Sequence, residues 1–222
     1  MKRTEPERHP GFDPLRLSRT LFDHYGPSGW WPGDSPCEVA IGAILTQNTA
    51  WTNVEKAMAN LKAASLIDVR RLHGVDGERL AALIRPAGYY NIKARRLKNF
   101  VQAVMEASSG DLGRFFDTDT QTLRSALLMV NGIGRETADS IGCYAAGKLV
   151  FVVDAYTRRI LLRHGVIKDD ASYDHMRGLF EAGLPPEISV YKDLHAHLVL
   201  VGKEFCRPKS PRCCECPLRL FS

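Results

Sequence analysis

Apolar residues recur three and four positions apart along most of the chain. "CEVAIGAILTQ" (37–47), "NVEKAMANLKAA" (53–64), "ERLAALI" (78–84), "KARRLKNFVQAVMEA" (93–107), "TLRSALLMV" (122–130), "ETADSIGCYAAG" (136–147) and "YTRRILLRHGVI" (156–167) fit a helical period better than alternation. Glycine and proline punctuate the spaces between them, in "GPSGWWPGDSP", "RPAGYYN" and "GLPPE". "KLVFVVD" (148–154) is β-like, but seven residues cannot form a sheet alone. The pattern predicts an all-α fold of two helical lobes: a core over about 37–146, and a second lobe combining 1–36 with 147–222. No repeat of solenoid length and no low-complexity tract interrupts it.

A chain of 222 residues with 45% hydrophobic and 25% charged residues is ordinary for a folded, water-soluble protein. The formal charge of +5 tilts the expectation only modestly towards a polyanionic partner. No apolar run reaches the length of a membrane span, and "MKRTEPER" lacks the apolar stretch of a secretory signal, so a cytoplasmic protein is expected. Cys37 and Cys143 stand alone in helical patterns, as buried inert thiols do. Cys206, Cys213, Cys214 and Cys216 crowd together near the C-terminus, where metal binding is the more natural reading in a reducing compartment.

"TLRSALLMVNGIGRETADSIGCYAAG" reads as helix, Gly-x-Gly turn, helix, over about 123–144. The glycines permit positive φ and close backbone approach, and the second helix begins with unpaired N–H groups that suit a phosphate. A tight corner whose glycines serve only packing is the plain alternative. Residues 128–138 of this turn resemble the hairpin of the helix-hairpin-helix DNA glycosylases, the endonuclease III superfamily. Asp154 follows Gly134 by twenty residues, as that family's aspartate does. "AIGAILTQNTAWTNVEKA", "IRPAGYYNIKARRL" and "HAHLVLVGKEFC" extend the resemblance over roughly 20–222. It implies an active-site cleft between the lobes, double-stranded DNA with damaged bases as partner, and a monomer associated with the nucleoid. It also leaves room for a monovalent cation at the hairpin.

Breaking an N-glycosidic bond passes through a sugar with oxocarbenium character, which a carboxylate stabilises while directing water. The resemblance gives that role to Asp154; an N-cap of the following helix is its compatible structural role. Members of the family that also cleave the strand carry a lysine at the position held here by Glu136. A carboxylate forms no imine and the neighbouring Arg135 stays protonated, so hydrolysis without lyase activity is expected. Glu136 itself is either a solvated first-turn acid or part of the pocket wall.

Trp30, Trp31, Gln47, Asn48 and Trp51 fall where the resemblance puts the base pocket, although tryptophans also simply pack. Indoles favour cationic partners, by about 0.5–2 kcal/mol per contact, and N-alkylated purines are cationic. The pattern is nearest the 3-methyladenine branch, which also has Glu at this position. The alternatives are an endonuclease III-type glycosylase/lyase acting on oxidised pyrimidines and a DNA-binding module without catalysis. Asn131, Gly132, Gly134, Arg135, Arg85, Lys93 and Lys203 are the expected DNA contacts. Cys206, Cys213 and Cys216 match the first three places of the family's iron–sulfur loop, C-x6-C-x2-C-x5-C. The fourth falls on Ser222, with Cys214 as spare, so a [4Fe–4S] cluster is expected with its fourth ligand open between them.

Overall fold

The computed structural model describes residues 11–221, and Ser222 lies outside them. Among these residues twelve α-helices and no strand are found. They divide into two compact units: residues 32–148, and a second unit formed by the residues up to Trp31 together with those from Leu149 onward.

The first unit is built around a helix without a polar face. Helix α2 (Pro36–Leu45) is buried from Glu38 to Leu45, which suits only a central position. It starts at Ser35, whose hydroxyl accepts from the Glu38 N–H at 3.2 Å, and the Glu38 carboxylate returns to the Asp34 N–H at 2.9 Å. Around it stand α3 (Trp51–Ala63), α6 (Tyr90–Ser108) and α9 (Arg135–Ser140). The short helices α4 (Val69–Gly74), α5 (Gly77–Leu83), α7 (Leu112–Phe116) and α8 (Thr120–Met129) each begin at an aspartate whose carboxylate accepts from first-turn N–H groups. α9 is shorter than its sequence pattern predicts. The Ser140 hydroxyl bonds back to the Glu136 carbonyl at 2.7 Å, and from Ile141 to Ala145 the chain widens into a π-helical turn.

The second unit holds α1 (Pro14–Tyr25), α10 (Ala155–Arg163), α11 (Tyr173–Glu181) and α12 (Ile188–Glu204), with α12 packed on both α1 and α10. α12 and α10 approach closely because Gly202 leaves room for the Tyr156 ring, which a Cβ would strike. The β-like run forms no strand and has no regular structure at 150–154, where it pairs with side chains. The Phe151 N–H donates to Glu181 Oε1 at 2.9 Å, and the Val153 N–H to the Tyr173 hydroxyl at 3.3 Å. Phe151 stacks on Phe180, with ring centroids 3.9 Å apart.

Lys93 corrects one expectation. It is 1% exposed and cannot reach DNA. Its Nζ donates to the carbonyls of Leu45, the last residue of α2, and Ala87, each at 2.8 Å. Burial, with the nearby Arg96 charge, lowers its pKa to about 8. A neutral amine still has two N–H donors, so loss of the proton strands neither carbonyl. Lys93→Met is expected to cost about 2–3 kcal/mol in urea unfolding, since both buried carbonyls lose their donor. The folded chain releases this proton near pH 8, whereas the unfolded chain keeps it up to the ordinary lysine value. Unfolding therefore takes up a proton within that window, and wild-type stability relative to the Met variant should rise with pH there. A difference that stays flat would show that Lys93 keeps its charge in the fold.

Candidate functional site

The hairpin between α8 and α9 is braced from behind. Gly132 has φ +95°, and a Cβ there would collide with the side chain of Arg96. Glycine is thus required both by its conformation and by the close approach. Gln47, in the turn after α2, donates from Nε2 to the Gly132 carbonyl at 3.2 Å and to the Thr137 hydroxyl at 2.9 Å, while its Oε1 accepts from Arg96. Asn99 Nδ2 donates to the Asn131 carbonyl at 2.9 Å. Beneath the turn, Arg124 Nε lies 2.6 Å from Asp139 Oδ1 in a buried ion pair. Asn131, Gly134, Arg135 and Glu136 are left on the exposed side.

Gln47 therefore serves the hairpin, a task its place in the sequence did not disclose. Asn48 beside it is exposed, with a left-handed backbone at φ 53°. Trp51 opens α3, and its indole N–H donates to Glu55 at 3.0 Å. In the "RPAGYYN" turn, Arg85 is exposed and lies over the Tyr90 ring at 5.9 Å. Tyr89 is 68% exposed in a left-handed conformation and was not singled out by sequence reasoning. Its signal was the Gly-Tyr step itself, since a large apolar residue after a turn glycine has little reason to face solvent.

In the other unit, Asp154 ends the β-like run and caps α10, with Oδ1 accepting from the Thr157 N–H at 2.7 Å. Its Oδ2 lies 3.8 Å from Nε2 of His195, a buried residue of α12. Burial pushes the His195 imidazole towards its neutral form, and the Asp154 carboxylate opposes that only in part. The opposite face of α12 holds the loop that carries the tryptophans. Asp193 Oδ1 accepts from the Ser28 N–H at 2.9 Å and from its hydroxyl at 2.6 Å, and His197 Nε2 meets the Gly26 carbonyl at 2.9 Å. Trp30 and Trp31 are half-buried, their ring centroids 5.3 Å apart.

The cysteine loop is tied to α10. Arg159 donates to the carbonyls of Cys206 at 2.7 Å and Gly202 at 3.0 Å, and Arg163 donates to the Arg207 carbonyl at 2.6 Å and the Cys206 sulfur at 3.3 Å. Cys206, Cys213, Cys214 and Cys216 line one cavity of about 340 Å³ together with Arg163 and Arg219. Cys206 and Cys216 are buried, while Cys213 and Cys214 are exposed. Among the described residues no three acidic, histidine or cysteine side chains stand close enough to ligate a metal as placed. Soft thiol donors around a cavity with cationic walls nevertheless have the chemistry that an iron–sulfur group requires. The Ser222 ligand expectation lies outside the described residues. Lys203, on the last turn of α12, is exposed.

The profile of the HhH-GPD superfamily base excision DNA repair proteins matches residues 41–186, which include the hairpin and Asp154. The chain belongs to this superfamily. It is thus a DNA base-excision repair glycosylase in its broad class. A Methanocaldococcus jannaschii protein provisionally named a DNA repair glycosylase is 46% identical over 93% of this chain and 94% of its own. The H. pylori 3-methyladenine DNA glycosylase, solved bound to 1,N6-ethenoadenine, superposes with TM-score 0.76 at 28% identity, over 87% of this chain and 98% of that one. A trapped endonuclease III–DNA covalent intermediate shares the fold, with TM-score 0.78 at 21% identity, over 93% and 92% of the two chains.

The buried pair beneath the glycosylase's hairpin can be tested by unfolding. Arg124→Ala removes the cation paired with the buried Asp139 carboxylate and should cost about 3–5 kcal/mol. Replacing both partners with apolar residues (Arg124→Met with Asp139→Leu) should restore most of that loss. Equal destabilisation in the single and double variants would count against the pair as the hairpin's support.

Proposed function

We propose that this chain is a monofunctional glycosylase that hydrolyses the N-glycosidic bond of alkylated, 3-methyladenine-type bases in double-stranded DNA. The observation that carries the reading is Asp154, which follows the family hairpin and holds a carboxylate steady at a helix start. After the damaged nucleotide is flipped from the stack, positive charge grows on its sugar as the base departs. Asp154 stabilises that charge and directs water to C1′. The exposed edge of the hairpin, from Asn131 to Arg135, holds backbone phosphate, and Arg85 and Lys203 add sequence-independent attraction. Trp30 and Trp31 in one unit, and Trp51 in the other, offer indole faces that favour a cationic alkylpurine. The H. pylori relative, described as a 3-methyladenine DNA glycosylase, supports that choice of substrate class.

Glu136, in place of a lysine, supports hydrolysis without a Schiff base. Lys93, whose lowered pKa would suit a nucleophile, is instead enclosed between two carbonyls. Cys206, Cys213 and Cys216, with Cys214 or Ser222, would hold a [4Fe–4S] cluster. When bound, such a cluster cross-links its loop; it does not act on the base. Arg159 and Arg163 carry that order into α10.

Asn retains the N-cap acceptor while removing the charge, so Asp154→Asn isolates chemistry from folding. It should abolish release of 3-methyladenine from methylated duplex DNA while leaving DNA affinity and the unfolding midpoint near wild type. Unchanged release would overturn the role of Asp154. Borohydride should trap no covalent protein–DNA adduct, and an adduct would establish a lyase. Freshly purified protein should absorb in a broad band near about 400 nm if the thiolates hold iron and sulfide.

A further inference from the structure

The two oxygens of Asp154 have different surroundings. Oδ1 is committed to the Thr157 N–H at 2.7 Å, whereas Oδ2 looks towards His195 Nε2 at 3.8 Å. His195 is 5% exposed, fixed on α12 with its ring perpendicular to that of Phe151, the centroids 6.5 Å apart. α12 is in turn locked to α10 at Gly202, by both the Tyr156 contact and the Arg159 hydrogen bond. The histidine and the aspartate thus sit on two helices held together by side chains of α10 that pack and hydrogen-bond against the Gly202 main chain.

We propose that His195 is a positioning residue for Asp154: its imidazole fixes the direction of Oδ2, so that the carboxylate meets the sugar in one orientation. The proposal rests on the catalytic reading of Asp154 given above. The physical advantage lies in using a neutral group. A carboxylate that stabilises a growing cation must keep its own net charge, and a permanent cation beside it, such as Lys or Arg, would cancel that charge at C1′. A neutral imidazole offers a dipole that orients the oxygen and leaves the charge intact. The burial that favours the neutral form of His195 serves this requirement. Orientation of this kind matters in rate more than in binding, because a displacement of about 1 Å in a reacting group costs on the order of 100-fold.

Single-turnover release of 3-methyladenine from methylated duplex DNA, measured with the full chain, tests the proposal. His195→Ala should slow release about 10- to 100-fold while DNA affinity changes less than about twofold. His195→Gln, which keeps a side-chain N–H, should recover part of the rate. In the Asp154→Asn background, His195→Ala should have no further effect, since a residue acting through another is silent once that other is gone. A rate within about twofold of wild type for His195→Ala, or the same fractional loss in both backgrounds, would overturn the proposal. Silence of Asp154→Asn itself would instead refute the catalytic reading. A readout independent of turnover is the Nε2 nuclear magnetic resonance of isotopically labelled His195, assigned with the Gln variant. Asp154→Asn should shift it, and an unmoved resonance would show that the carboxylate does not act on the imidazole.

Discussion

Main-chain carbonyls at helix ends and in turns are left without helical partners, and in this protein long basic side chains donate to several of them. Lys93 serves Leu45 and Ala87, and Lys98 serves Leu72, His73 and Val75. Arg70 serves Ser109; Arg159 and Arg163 serve Gly202, Cys206 and Arg207. The elements so fastened include the turn that carries Gln47, the "RPAGYYN" turn and the cysteine loop. These five of the 30 lysines and arginines are therefore committed to holding loops in shape. The surface that can attract a polyanion is smaller than a count of lysines and arginines suggests.

This explains which parts of the protein were legible in its sequence. The period of the apolar residues located the main helices of residues 32–148, because a helix buried on one or all sides must repeat that way. The hairpin was legible because Gly132 has no substitute beside Arg96. Lys93 was misread as a DNA contact: a lysine behind a Pro-Gly turn has the same letters whether its stem points outward or crosses the core to two carbonyls. His195 was missed because nothing in "HAHLVL" tells which of its polar residues faces which neighbour. "KLVFVVD" had a strand's β-branched and aromatic composition, but N–H groups within it are claimed by Glu181 and Tyr173, and tertiary partners decided the outcome. The fourth cysteine-loop ligand was left open by the sequence for a plain reason: a serine stands where the spacing asks for a thiol.

Helix α12 organises the chemistry of its unit. Residues two apart on a helix face nearly opposite ways, so Asp193 and His197 grip the loop of Trp30 and Trp31 while His195 faces Asp154. One rigid rod thereby relates the tryptophan loop to the Asp154 carboxylate, and its C-terminal turn leads directly into the cysteine loop. Stiffness matters here because a site that separates damaged from normal bases does so by small differences in fit.

The N-cap bond of Asp154 bears on how this acid is interpreted wherever it is found. A side chain that starts a helix is worth about 1 kcal/mol to the fold, whether or not any bond is ever broken beside it. Selection on folding alone would thus retain aspartate, or its neutral relative asparagine, in a descendant that had stopped removing bases. The distinction between those two residues then carries the historical information: helix capping tolerates the amide, while stabilising a sugar cation does not. An aspartate at this place is compatible with either history, whereas an asparagine would mark a lineage that kept the architecture and gave up the reaction.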